Sequence, residues 1–533
     1  MKNIFLLLVA TSILFSCSGI LDEEVFDKVT PENFFQTEND AIVGVIGVYD
    51  GLQNYPYWYR QFTMSEALPG SMGHFWNEDF NTLTYTNNSG KLWPLWTQAY
   101  KVIGNANLVI SILDESTLEE DLKNQLIGEM RFIRGMVYFN TVRMFGHIPL
   151  VTSVPESIND AITPPVDEDI TSPIFESQFL KQVDRNVVYD FIIQDLQFAE
   201  DNLPEATFTN GVDNGRAKKG AATGLLAKVY LTQAGLQYNY ESGSLDQGDA
   251  SKWAMVAQKC DELIGNGTYS LEANFADIFE NVNDNNEEVI FSIQYLESSI
   301  AGVEGEGSQT VARTGIRGAD ITPYSWKQAF SNLSFFNHWV DANSTSDNRF
   351  NTTYLTSYID NDGVEINYGG GNFIRPHIWK FVSDVNNPDI NSLGSHDYGD
   401  NPIILRYADI LLMQSEALNE MGGAPNSETI YGINEIRKRA GQPEITLPIS
   451  KVDLRQAIWN ERKWELVYEG HYFYDCQRTG RLYDEIALNW DDNGGTVRKV
   501  PLDVITNNNK YYILPIHFNA MSANPSLVQN FGW

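Results

Sequence analysis

The run NQLIGEMRFIRGMVYFNTVRMFGHIPL, residues 124–150, decides the fold class. Leu126, Met130, Ile133, Val137 and Met144 recur at helical spacing and mark one apolar face. Phe132 and Phe139 mark a second face, with Gly128 and Gly135 close to them. A helix apolar on two faces is buried between neighbours, and its glycines let those neighbours approach closely. Gly146 is placed to end the helix, and Pro149 blocks its continuation.

Working outward, the same pattern returns. RAKKGAATGLLAKVYLTQAG (216–235) and DASKWAMVAQKCDELIGNG (249–267) read as two alanine-containing helices joined by a polar loop. Helix, turn, helix of this composition is the pattern of tetratricopeptide-like hairpins, although the spacing does not keep a clean period of about 34 residues. In IILRYADILLMQSEALNEMGG (403–423), Ile404, Ala408, Leu411, Ser415 and Leu418 line one face, and Gly422 is a C-cap candidate. SKVDLRQAIWNERKWELVYEG (450–470) opens with Ser450 and Asp453 at capping-box spacing. Between about 295 and 400 the character changes: AGVEGEGSQT (301–310), VEINYGGGNF (364–373) and DVNNPDINSLGSHDYGD (384–400) are rich in Gly, Asn and Asp. Long irregular stretches in a compact protein are usually functional loops or disorder, and the aromatics scattered here favour ordered loops.

At the N-terminus, Lys2 precedes an apolar run from Ile4 to Phe15. That run is shorter than the roughly 20 residues a spanning helix needs and has the size of a signal-peptide core. Leu14-Phe15-Ser16-Cys17 looks like a bacterial lipobox, in which the chain is cut before the cysteine and the cysteine is acylated. The alternative is an ordinary secretory signal with an incidental cysteine. Each buried methylene contributes about 0.8 kcal/mol, so more than one acyl chain holds a soluble domain on a bilayer. Residues 1–16 are then a signal peptide, 17–30 an acidic acylated tether, and 31–533 one domain. Within it a helical scaffold covers about 31–290 and 401–480, a loop-rich insertion about 291–400, and a C-terminal segment 481–533. No later segment is long and apolar enough to span a membrane.

The chain carries 70 acidic and 36 basic residues, a formal charge of −34. Such a surface repels polyanions at long range and argues against nucleic acid as a partner. Beyond Cys17 only Cys260 and Cys476 remain, too few for a disulfide scaffold; their pairing is left open. Cys260 lies within a helix and reads as a core thiol.

Five blocks in order carry a family resemblance: GEMRFIRGMVYFNTVRMFGHIPLV (128–151), ILRYADILLMQSEALNEMG (404–422), INEIRKRAG (433–441), IWNERKWELVYEGHYFYDCQRTGR (458–481) and ILPIHFNAMSANPSLVQNFGW (513–533). With the lipobox they closely resemble the SusD/RagB family of outer-membrane nutrient-binding lipoproteins. The resemblance implies a mainly α fold, a tetratricopeptide-like hairpin array with a large irregular ligand-binding face. It implies a protein lipid-anchored at the outer membrane, capturing oligosaccharide and passing it to a TonB-dependent, SusC-like transporter. Asp22-Glu23-Glu24 is similar to the acidic export signal of such lipoproteins. In ILPIHF the family's usual second proline is missing, which alters one local turn.

Chemistry can be weighed residue by residue. Glu461, Glu465 and Glu469 stack at i, i+4 and i+8, and Asp409 and Glu416 share a helix side. A glycosidase needs two carboxyls about 5–9.5 Å apart across a cleft. Here the acids are interleaved with Arg455, Arg462 and Lys463, which reads as helix-joining ion pairs. The seven histidines are scattered with no zinc-ligand spacing, and no phosphate or nucleotide motif is present. IDNDGVE (359–365) has part of a calcium-loop pattern and lacks the rest. No metal, cofactor or catalytic residue is assigned.

Aromatics carry the binding hypothesis, because flat rings meet the apolar faces of sugars while polar side chains meet the hydroxyl rim. In GSMGHFWNEDFNT (70–82), Trp76 sits in no apolar periodicity and is followed by Asn77 and Asp79. In ITPYSWKQAFSNLSFFNHWVDANS (321–344), Tyr324, Trp326 and Trp339 are candidates, with Phe330, Phe335 and Phe336 as packing. Tyr295 ends the strand-like EVIFSIQY. The resemblance implies ligand contacts from both stretches. Tyr57 and Trp58 fit either the core or a partner interface, and Trp96 opens a core helix. The acidity of the chain favours a neutral glycan. The alternatives are a peptide or other nutrient and, behind it, a glycoside hydrolase.

Overall fold

A computed structural model of the protein describes residues 37–55, 57–74, 78–154, 181–208, 214–296, 307–316, 326, 328–360, 362–370, 373–382, 398–489 and 509–533. The signal peptide, the tether with Cys17, and three of the candidate binding residues (Trp76, Asn77 and Tyr324) lie outside them.

Helices dominate. In chain order they include α1 (Glu38–Gln53), α2 (Trp58–Ala67), α3 (Leu92–Glu115), α4 (Glu120–Phe145), α5 (Arg185–Asn202), α6 (Lys219–Ala234) and α7 (Lys252–Asn266). After the loop-rich stretch come α8 (Thr310–Thr314), α9 (Leu333–Asn343), α10 (Tyr407–Met421), α11 (Tyr431–Arg439), α12 (Lys451–Glu465) and α13 (Tyr472–Thr479). From α3 to α7 each helix packs on the next; α7 then meets α10, and α10 meets α11 and α12. That succession is the hairpin array expected from the sequence.

The run that decided the fold is α4, and it is buried along nearly its whole length. Glu119 caps its start, its carboxylate accepting from the amides of Asp121 and Leu122. Gly135 lies against Leu196 and Asp195 of α5, and a Cβ on Gly128 would meet Leu203 at 3.4 Å. Gly146 ends the helix at φ +78°, where a side chain would run into the Tyr240 ring. Polar ties fix both neighbours: Arg134 makes a bidentate pair with Asp195 of α5 at 2.7 and 2.8 Å and donates to Asn107 of α3 at 2.6 Å. Trp96, on α3, packs edge-on against Phe145 in the core.

Short strands stitch the irregular region to this scaffold. We number them β1 (Met72–His74), β2 (Val289–Ser292), β3 (Ala329–Ser331), β4 (Ser357–Ile359), β5 (Glu365–Asn367) and β6 (Ile403–Arg406). The chain leaves the scaffold at β2 and returns at β6, and these two pair antiparallel as a bulged neck. Beside the neck, Arg406 donates to Glu288, Glu465 and Glu469, while Arg439 pairs with Glu288 and Glu465. Arg349 and Lys380, from within the loop-rich stretch, reach back to Glu461, Glu465 and Glu469. The loops are therefore tied to the helices by a buried charge network as well as by apolar contact. Cys260 and Cys476 are both buried and unpaired, and burial pushes both thiols up.

Candidate functional site

The two aromatic-rich stretches meet on one ladder. β1 pairs antiparallel with β3, Gly73 opposite Phe330 and His74 opposite Ala329. The chain therefore leaves β1 and enters β3 at the same end, so the segments beyond His74 and before Ala329 start from one place. Asp79 and Trp326 are the described candidates nearest that end.

Trp326 is half-buried, its amide donating to the Ala312 carbonyl at 2.6 Å. Its ring faces the guanidinium of Arg313 at 4.6 Å. Arg313 also lies 4.0 Å from the Tyr55 centroid and 5.1 Å from that of Tyr59, whose rings stack on each other at 5.2 Å. Its Nη atoms donate to the side-chain carbonyls of Gln328 and Gln309. Tyr59 shares a 3.0 Å hydrogen bond with His74 Nε2. Burial first, then Arg313 and Lys91, push the His74 imidazole down to about 3, so it is neutral at physiological pH. Asp79 is held in an ion pair with Lys91, and Arg60 lies beside Tyr55.

A cleft of about 280 Å³ opens next to this cluster, with Tyr55, Trp58, Tyr59 and Tyr295 among its walls and Gln98, Asn105 and Gln309 among its polar groups. Tyr295 is half-buried and its hydroxyl donates to the Gln53 carbonyl at 2.8 Å. It therefore offers the cleft a ring face with its hydroxyl already engaged. Trp58 lines the cleft whereas Tyr57 is core.

Trp339 corrects the reading of 321–344. It has no exposed surface, and its ring packs at 5.3 Å on Tyr354 and 5.7 Å on Phe350. It continues the buried face of α9 set by Phe335 and Phe336, so it cannot touch a ligand. The sequence reading missed Tyr55, Tyr59 and Arg313. The one available signal was Arg313, one of two arginines in the polar run GSQTVARTGIRG (307–318) of a strongly acidic chain.

The carboxylates considered for hydrolysis are committed elsewhere. Glu465 pairs with Arg349, Arg406 and Arg439, and Glu461 with Arg349 and Arg437. Burial alone would raise the Glu469 carboxyl, but Arg406 and Lys380 hold it down at about 2. Asp409 and Glu416 meet Arg462 and Arg478. In IDNDGVE, Asp360 accepts from the amides of Asp362 and Val364 and so caps the turn joining β4 to β5. Among the described residues no group of three or more acidic, histidine or cysteine side chains is arranged to hold a metal.

Comparison with known proteins agrees with this architecture. Residues 233–533 match the family described as the SusD family, and residues 23–231 match the one described as starch-binding, associating with outer membrane. The chain is 28% identical to SusD-like protein P2 of Formosa agariphila, over 99% of this chain and 98% of that one. Among solved structures it is similar to a SusD homolog from Bacteroides thetaiotaomicron, with a TM-score of 0.75 and 23% identity, over 94% of this chain and 98% of that one. It is also similar to a laminarin-binding SusD-like protein, with a TM-score of 0.69 and 24% identity, over 94% of this chain and all of that one. On a match spanning its C-terminal 233–533, a shared fold and a helical array packed as the family predicts, the chain belongs to the SusD/RagB family.

Proposed function

We propose that this chain is a non-catalytic glycan-capture protein, held at the outer membrane by lipid on Cys17, that passes oligosaccharide to a TonB-dependent, SusC-like transporter. The observation that carries this reading is the gathering of half-buried rings around one polar cleft: Tyr55, Trp58 and Tyr295 on its walls, with Trp326 beside them across Arg313. Sugar rings present apolar C–H faces to such side chains, and amide groups such as Gln98 and Asn105 suit the hydroxyl rim. Trp76 and Asn77 follow β1 in sequence and Tyr324 precedes β3, and this reading keeps them as ligand contacts. Engagement of Asp79 by Lys91 makes it a support for that face. The carboxylates weighed for hydrolysis, Asp409, Glu416, Glu461, Glu465 and Glu469, are locked in ion pairs, which favours binding without hydrolysis. No described helix is long and apolar enough to cross a membrane, so the lipid at Cys17 is the attachment this reading needs.

Affinity electrophoresis of the purified protein against a panel of polysaccharides tests the reading. Retardation by at least one glycan is expected, reduced by Trp326→Ala and Trp76→Ala without loss of fold. Retardation by none, or release of reducing ends from a glycan, would overturn it.

A further inference from the structure

The net charge of the chain favours a neutral ligand, but two arginines stand beside Tyr55 on the cleft wall. Several buried arginines elsewhere in the fold meet a carboxylate: Arg134 with Asp195, Arg349 with Glu461, Arg406 with Glu465, Arg462 with Asp409, Arg478 with Glu416. Two arginines at the candidate site do not. Arg313 is 9% exposed, its Nη atoms donate to neutral amide oxygens, and its Nε has no hydrogen-bond partner. Arg60 donates to the Gly90 carbonyl at 3.2 Å and lies beside Tyr55, as Arg313 does. The nearby acid, Asp79, is taken by Lys91. The cleft lining includes one acid, Asp50, and one base, Lys101. Among the described residues neither guanidinium makes an ion pair with a carboxylate, although Asp79 lies near enough to favour the charge on Arg60, in a chain whose formal charge is −34.

A partly desolvated cation is unfavourable unless paired, and aromatic stacking offsets only part of that. Elsewhere the cost is met by carboxylates, as at Arg134, Arg406, Arg462 and Arg478, or, as at Arg143 on α4, by neutral acceptors and the rings of Phe139 and Tyr474. We infer that at this site the ligand brings the missing anion: the cleft takes a glycan bearing acidic groups, either uronate carboxylates or sulfate esters. This rests on the reading of the cleft as a glycan site. An oxyanion on a sugar would accept charge-assisted hydrogen bonds from Arg60 or Arg313, in bidentate form where the geometry allows. The same sugar's apolar face would lie on Tyr55 or Trp326. The two arginines also set a local field that draws an acidic chain into the cleft despite the repulsion of the outer surface.

The test uses the purified mature protein and matched glycan pairs that differ in charge alone: polygalacturonate and its fully methyl-esterified form for the carboxylate arm, dextran sulfate and dextran for the sulfate arm. A neutral panel including laminarin runs beside them. The acidic member of at least one pair is expected to bind about tenfold or more tightly than its neutral partner. That preference should weaken between about 50 and 500 mM NaCl, as screening requires. Arg60→Gln and, separately, Arg313→Gln should bring the acidic member toward the neutral one, with Arg60→Lys retaining part of the difference. Melting temperatures establish that each variant is folded, and Arg60, being half-buried, is the safer of the two. Equal or tighter binding of neutral members, binding confined to the neutral panel, or a salt-independent preference overturns the inference while leaving glycan capture intact. Binding to no glycan of either kind overturns both.

Discussion

Gly73 and Phe330 face each other across the β1–β3 ladder, and the Phe330 ring fills the space that a Cβ on Gly73 would need, 2.3 Å from its nearest atom. The ring is buried and lies under the Arg375 guanidinium at 5.0 Å, so it has little room to move aside. Gly73→Ala should therefore push the two strands apart at the point where both aromatic stretches begin. An overpacked core contact of this kind costs about 1–3 kcal/mol. The expected result is a modest fall in melting temperature with a larger loss of glycan retardation, measured well below the melting point. A folded Gly73→Ala protein with unchanged retardation would separate the ladder from binding.

Trp326 and Trp339 are thirteen positions apart and have opposite roles. Trp339→Ala empties a site enclosed by Phe350 and Tyr354 and should cost about 3–5 kcal/mol of stability. Trp326→Ala removes a half-buried ring stacked on one arginine and should cost far less, while reducing glycan retention. Urea unfolding of both variants beside affinity electrophoresis checks the pair. Comparable unfolding midpoints for the two would contradict the burial difference.

Glu465 neutralises three buried arginines at once. Its carboxylate pairs with Arg349, Arg406 and Arg439, none of which is appreciably exposed. Glu465→Gln preserves shape and removes the charge, leaving buried cations under-compensated. Breaking one partner of a buried pair costs about 3–5 kcal/mol. The midpoint of chemical unfolding should fall accordingly, whereas Glu120→Gln, which disrupts an exposed i, i+3 pair with Lys123, should leave it nearly unchanged.

The two tryptophans also mark what was legible in the sequence. The two-faced pattern of α4 predicted burial between neighbours, and α3 and α5 supply them. Interleaved charges around 461–469 were readable as ion pairs because acids and bases alternate within one helix and the loop after it. Trp339 was readable too: it follows Phe335 by four and Phe336 by three, the period of one buried face, yet the polar residues after it suggested a loop rim. The cluster around Arg313 was not readable. It joins residues 55–59, 313 and 326, which share no period or motif, and net charge misdescribes it because a sum over 533 residues says nothing of one cleft.

Asp400 links the pH dependence of stability to this site. It is buried, its Oδ2 accepts from Ser308 Oγ at 2.9 Å, and its Oδ1 has no partner. Burial, offset in part by Ser308 and Thr310, raises its carboxyl from 3.8 to about 8. Asp284, on the wall of the same small cavity, is raised by burial to about 7. Below about pH 4 both are protonated whether the chain is folded or not, and the fold has their full support. As pH rises the unfolded chain ionises first, so stability declines between about pH 4 and pH 8 and then levels off. Asp400→Asn keeps an acceptor for Ser308 and cannot ionise. Its unfolding midpoint should lie nearest the wild type's below about pH 4 and exceed it by a growing margin from pH 5 to pH 9, with a flatter profile. Ser308 lies five residues before Arg313, so wild-type glycan affinity should also fall at pH 9, and Asp400→Asn should resist that fall. Parallel stability profiles for the two proteins from pH 5 to pH 9 would mean that Asp400 is ionised in the fold, and that the segment bearing Arg313 is held by other contacts.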